Sequence, residues 1–134
     1  MNRTPENIHS IVERQREFFR SGASLDVSWR IEQLKKLKQA LIKYTPELEA
    51  ALAQDLGRTE AEAYFCDIGD TIMEINEAIA HVRKWARPET HFSGLVSFPS
   101  LVTKVYKVPY GVSLIISPFN FPVLLSFGVL AAAQ

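Results

Sequence analysis

Apolar residues recur along the first two thirds of this chain at alternating spacings of three and four, the signature of helices with one buried stripe. Ile8, Ile11, Val12, Gln15, Phe18 and Phe19 form the first such stripe, opposite Glu13, Arg14, Arg16 and Glu17. Thr4-Pro5 reads as a cap followed by proline at the first helical position, and Ser21-Gly22 as the stop. Asp26 caps a second helix with Ile31, Leu34, Leu37, Leu41 and Tyr44 inward, and Lys35, Lys36, Lys38 and Lys43 toward solvent. Thr45-Pro46 repeats the cap-then-proline signal and predicts a short third helix through Leu48, Leu52 and Leu56 to Gly57. Thr59 and Glu62 fit a capping box that opens the longest helix. Its stripe of Phe65, Ile68, Ile72, Ile75, Ile79 and Val82 continues to Trp85, and Pro88 ends it.

Beyond Pro88 the period changes. Residues 91–100 are rich in Phe, Ser, Gly and Pro and predict a loop. Leu101 to Val108 alternates without a purely apolar side, as an edge or hairpin strand would. Val112 to Ile116 predicts a buried strand, and the charge-free run Val123 to Ala133 a buried helix. Between them Pro118 and Pro122 fix φ and remove two backbone donors, so the chain must turn there. A strand that ends in a rigid turn and feeds a helix places that turn at the carboxyl edge of a sheet, where open α/β sheets bind ligands. Asn120, bracketed by the two prolines, would present a neutral N–H donor into an apolar pocket, a group suited to holding an oxyanion; its blander role is to cap the turn. The run from Gly111 to Gln134 is long enough to cross a bilayer, but its prolines would free backbone groups that lipid cannot satisfy, which favours a buried strand–turn–helix. No stop signal follows Ala131-Ala132-Ala133-Gln134, so the helix is predicted to continue and the chain to be truncated.

Composition narrows the class. With 47% hydrophobic and 22% charged residues in 134, the chain has the makings of a folded core rather than disorder. Fifteen basic residues balance fifteen acidic ones, which gives no surplus charge for nucleic acid or an anionic membrane. The amino terminus lacks a basic-then-apolar leader, and a cytoplasmic location is expected. Cys66 is the only cysteine, which excludes an intrachain disulfide; mid-helix and without a histidine neighbour, it is expected to be an inert structural thiol. His9, His81 and His91 lack the spacing of a metal site, and Glu74 and Glu77 are expected to face solvent.

The segments Pro109-Tyr110-Gly111-Val112 and Pro118-Phe119-Asn120-Phe121-Pro122 resemble the aldehyde dehydrogenase superfamily, with Phe119 where that family usually carries Trp. The ring is kept and the indole N–H is lost. Arg30-x-x-Gln33-Leu34-x-x-Leu37, Ala51-Leu52-x-x-Asp55-Leu56-Gly57-Arg58, Glu62-Ala63-Tyr64, Glu74-Ile75 and Trp85 look like the amino-terminal helices of its class 3 branch, which includes fatty and aromatic aldehyde dehydrogenases.

The resemblance implies an α/β fold in three parts. Residues 1–88 would be an amino-terminal helical region that walls the cofactor domain, and 89–110 a loop and β-ribbon strand. Residues 111–134 would begin an incomplete, Rossmann-like NAD(P)-binding domain. It further implies oxidation of an aldehyde to a carboxylic acid with NAD or NADP, Asn120 stabilising the oxyanion and Ile116, Ser117, Pro118 and Phe119 lining the cofactor cleft. A homodimer would form through the 101–108 strand and the apolar carboxyl-terminal segment. The family's catalytic cysteine, glutamate, ribose-binding lysine and glycine-containing cofactor turn match nothing in these residues, so the chain is expected to be an inactive amino-terminal portion of the enzyme. The alternative is a noncatalytic helical module that assembles with itself or with a separate chain.

Overall fold

The computed structural model describes residues 5–133, so the predicted Thr4 cap and Gln134 lie outside it. Helix α1 (Pro5–Arg20) stops before Gly22, whose φ of 76° is the left-handed conformation that ends a helix. A short 3-10 turn, Ala23–Leu25, leads to Asp26, which accepts hydrogen bonds from the N–H groups of Ser28 at 3.0 Å and Trp29 at 3.3 Å and starts α2 (Val27–Lys43). The α1 stripe is only half buried: Ile8 and Phe18 are exposed, the latter's ring 5.5 Å from that of Trp29.

Helix α3 (Thr45–Leu56) begins one residue earlier than a Thr45 cap would allow. Thr45 is already helical, and its hydroxyl donates back to the Leu41 carbonyl at 2.9 Å instead of capping forward. Tyr44, expected inward, is the exposed junction between α2 and α3; Leu56 is exposed as well. Lys38, expected in solvent, is half buried and reaches across to the Asn76 side chain at 2.7 Å. Gly57, at φ 66°, closes the helix.

The predicted long helix is there, but in three pieces. Helix α4 (Glu60–Ala63) starts at the capping box: the Thr59 hydroxyl accepts from the Glu62 N–H at 3.3 Å, and Glu62 accepts from the Thr59 N–H at 2.9 Å. A π-helical turn, Tyr64–Ile68, comes next, and then α5 (Gly69–Trp85). A π-turn inserts one residue into the helix and so rotates the residues on one side of it by about 100° relative to those on the other. The stripe therefore breaks: Phe65 is 72% exposed, while Ile68, Ile75 and Val82 stay buried and Ala63 and Asp67 join them. Leu34 and Leu41 of α2, Leu52 of α3 and these residues form the core, with α2 packed along α5. Each fully buried Leu or Ile contributes about 1.5–3 kcal/mol.

Strand β1 (Glu89–Phe92) pairs antiparallel with β2 (Val102–Val105), Glu89 opposite Val105 and Phe92 opposite Val102. The predicted loop therefore gives up His91 and Phe92 to a strand, and the hairpin character expected of 101–108 is confined to the shorter β2. Every residue of the ribbon is exposed.

The strand expected at Val112–Ile116 does not form among the described residues. A strand exists only where a neighbour takes its N–H and C=O groups, and here none lies alongside; Leu114 and Ile116 are exposed. The helix expected after the turn does form, as a second π-turn (Leu124–Gly128) running into α6 (Val129–Ala133), with Val123 and Ala131 buried in the core. The result is a helix-rich α/β chain with one two-stranded sheet among the described residues. No helix among them is long and apolar enough to cross a membrane.

Candidate functional site

The turn that carries Asn120 is fixed by residues far away in sequence. Arg58 follows the glycine that ends α3, and its side chain is largely covered; Asp67, in the first π-turn, has no exposed surface. Arg58 Nη1 donates to Asp67 Oδ2 at 2.8 Å, and Nη2 donates to the Asn120 backbone carbonyl at 2.7 Å. The guanidinium also lies 4.7 Å from the centre of the Phe121 ring. The other carboxylate oxygen, Asp67 Oδ1, accepts from the Leu124 N–H at 2.5 Å, in the first turn of the last helix.

Burying two charges costs several kcal/mol per ion, and the cost is offset only where further hydrogen bonds satisfy both groups. Here they do. Each Asp67 oxygen has a donor, and Arg58 gives one N–H to the carboxylate and another to a carbonyl. The carboxylate also meets an orphan N–H at a helix start, where negative charge is favoured. The Thr71 hydroxyl, itself buried, donates to the Asp67 carbonyl at 2.6 Å. The segment from Asn120 to Leu124 is thus clamped at both ends by one ion pair.

Sequence reasoning misses this pair. Arg58 ends a family-like motif that gives it no role, and Asp67 sits beside Ile68 in a run whose spacing reads as one uninterrupted helix. The available signal is a carboxylate flanked by core positions, which must have a partner when buried.

The predicted site residues cluster on this turn. Asn120, Pro118, Phe119 and Ile116 are all exposed, Phe119 at 89% and Ile116 at 85%. The apolar pocket expected around Asn120 is not formed by the described residues. Ser117 is half buried, its hydroxyl 2.7 Å from that of Ser126 on the second π-turn. Three concavities lie elsewhere. One of about 400 Å³ is bounded by Leu34, Val82, Trp85, Lys107 and Ala131, a second of about 290 Å³ by Phe19, Trp29, Gly111 and Leu130, and a third of about 370 Å³ by α1; none of the three includes residues 116–120.

Cys66 is exposed on the first π-turn. No group of three or more His, Cys, Asp or Glu among the described residues could hold a metal ion. Glu74 and Glu77 face solvent, and Glu77 lies 3.0 Å from His81. The carboxyls held below their ordinary range are Glu62, by hydrogen bonds from the Thr59 backbone and hydroxyl, Glu89, by Lys107, and Glu13, by Arg16. All three are at the surface.

Comparison with known proteins agrees with this architecture. A model of the aldehyde dehydrogenase family matches residues 1–134. The 4,4'-diaponeurosporen-aldehyde dehydrogenase of Staphylococcus aureus is 41% identical over 87% of this chain and 25% of its own length. Aldehyde dehydrogenase family 3 member B1 of Bos taurus is 36% identical over 91% of this chain and 26% of its own. A solved structure, the substrate-bound state of Staphylococcus aureus AldH, superposes with a TM-score of 0.90 at 36% identity, covering 99% of this chain and 28% of that one. The chain spans about a quarter of the length of the relatives it matches. With its helices, ribbon and proline-bracketed turn all falling within one matched region, the chain belongs to the aldehyde dehydrogenase family.

Proposed function

We propose that this chain supplies the oxyanion-holding asparagine and part of the nucleotide cleft of an NAD(P)-dependent aldehyde dehydrogenase, which converts an aldehyde to a carboxylic acid. The observation that carries the reading is the clamped turn: Arg58 on the Asn120 carbonyl and Asp67 on the Leu124 N–H hold a carboxamide on stiff backbone. A preorganised donor is worth more than a mobile one, because no reorganisation is needed as charge develops. When a thiolate adds to the aldehyde carbonyl, the oxygen gains negative charge and the Asn120 N–H would donate to it.

Residues 116–119 fit one side of a nicotinamide nucleotide site. Ile116 and Phe119 offer exposed, uncharged surface to a flat ring, and the Ser117 hydroxyl is already engaged by Ser126. When bound, the nicotinamide would accept the hydride that leaves the substrate carbon. The attacking thiolate, the carboxylate that activates water and the groups that exclude solvent from Asn120 would come from other parts of the enzyme. Cys66, the only cysteine in these residues, lies on a helical surface turn. The exposed β1–β2 ribbon, with Phe92 and Val102 at its surface, suits the chain to homodimer assembly in the cytoplasm.

NAD(P)H formation with a panel of aldehydes tests the proposal. The full-length enzyme should turn over, and the 134 residues alone should not. Turnover by the 134 residues alone would overturn this division of labour, and no turnover by the full-length enzyme with any aldehyde would overturn the activity.

A further inference from the structure

The Arg58–Asp67 pair serves no binding surface: Asp67 has no exposed surface and Arg58 little. Among the described residues, the side-chain hydrogen bonds and ring contact that the pair makes outside itself go to one segment, the backbone carbonyl of Asn120, the ring of Phe121 and the N–H of Leu124. The far end of that segment has support of its own, since the Phe121 carbonyl accepts from the Leu125 N–H at 2.9 Å and Val123 is buried in the core, but among the described residues Arg58 supplies the one hydrogen bond to Asn120. Pro118 and Pro122 lack N–H groups, Asn120 is exposed, and residues 111–123 form no regular structure. A carboxamide that must meet an oxyanion within hydrogen-bonding distance needs its backbone set to a fraction of an ångström.

Resting on the proposed role of Asn120, we infer that Arg58 and Asp67 are positioning residues for the reaction. They act through the Asn120 carboxamide and touch neither substrate nor cofactor. Arg58 sets the carbonyl of Asn120 itself, and Asp67 sets both Arg58 and the far end of the turn. Lysine in place of Arg58 keeps the charge but has no planar fork, so it can reach the carboxylate or the carbonyl without holding both in the present geometry.

The test is a double-mutant cycle in the full-length enzyme, comparing native, Arg58→Lys, Asn120→Ala and the double variant by kcat/KM for aldehyde. Arg58→Lys should lower kcat/KM about tenfold through kcat, leaving KM for the cofactor within about twofold, and should have less than about a twofold effect once Asn120 is alanine. A loss of the same size in both backgrounds would show a merely structural pair and overturn the inference, as would no loss in the native background. If Asn120→Ala itself costs nothing, the role of Asn120 fails and this inference with it, a result distinct from equal losses. Should Arg58→Lys not yield folded enzyme, Phe121→Leu, which removes the ring beneath the guanidinium and spares the ion pair, runs the same cycle: a loss confined to the Asn120 background supports the inference, and equal losses or none overturn it.

Discussion

The fully buried carboxylate of Asp67 and the backbone N–H of half-buried Leu124, 57 positions apart in sequence, meet at 2.5 Å. One contact thereby joins a π-turn in the longest helical run to the start of the last helix. Without Asp67, the largely covered Arg58 would lose its counter-charge, keeping only the Asn120 carbonyl and the Phe121 ring, and the Leu124 N–H would lose its acceptor.

Replacing Asp67 by alanine should therefore destabilise the full-length enzyme by about 3–5 kcal/mol, the range for breaking a buried pair on one side. Asp67→Asn keeps an oxygen for Leu124 and should cost clearly less. Denaturant midpoints for the two variants check this ordering, and equal losses would show that the oxygen asparagine keeps for Leu124 contributes nothing without the charge.

Gly69 gives a sharper test of the π-turn. A Cβ built there would lie 2.9 Å from the Tyr64 carbonyl oxygen and 3.4 Å from the Tyr64 ring. In an ordinary helix Gly→Ala gains about 1 kcal/mol, whereas overpacking costs about 1–3 kcal/mol. Gly69→Ala should lower the thermal midpoint. A rise would mean that the helix runs through Tyr64–Ile68 without the extra residue.

The broken stripe makes two residues of one sequence pattern behave differently. Ile75 is fully buried and Phe65 is 72% exposed, although both fall on the same three–four spacing. Ile75→Ala should cost about 2–5 kcal/mol and Phe65→Ala no more than about 0.5 kcal/mol in a stability measurement. Comparable costs would place Phe65 in the core and contradict the π-turn.

These residues also show how far the sequence could be read. Helix starts were legible at Asp26 and Thr59 because a side-chain oxygen beside orphan N–H groups is a local matter. Gly22 and Gly57 marked ends for an equally local reason, their positive φ. Thr45 misled because a threonine before proline can bond backward to a preceding turn as readily as forward. Strand β1 was hidden in four residues without alternating burial, since all of them are exposed. Val112–Ile116 has strand composition, but a strand also needs an adjacent partner, which composition does not show. At the site, Asn120 and its prolines were visible from local chemistry, whereas the Arg58 clamp depends on contacts 62 positions away.

The capping box should confer a pH dependence. Hydrogen bonds from the Thr59 backbone and hydroxyl hold the Glu62 carboxyl below its ordinary value of 4.5. A depressed folded value means that its stabilisation is fully present above pH 4.5 and is lost as the pH falls through the lower folded value. Native and Glu62→Gln enzymes should differ in thermal midpoint at neutral pH and converge under acid. A difference constant across that range would mean that the charge of Glu62 is not what the cap uses.

Asn120 as an oxyanion donor is the central claim, and its most direct test is the steady-state kcat of Asn120→Ala in the full-length enzyme. A loss of about 100- to 1,000-fold, with cofactor KM little changed, is the predicted result. A kcat within about twofold of native would contradict it and return Asn120 to the role of a turn residue.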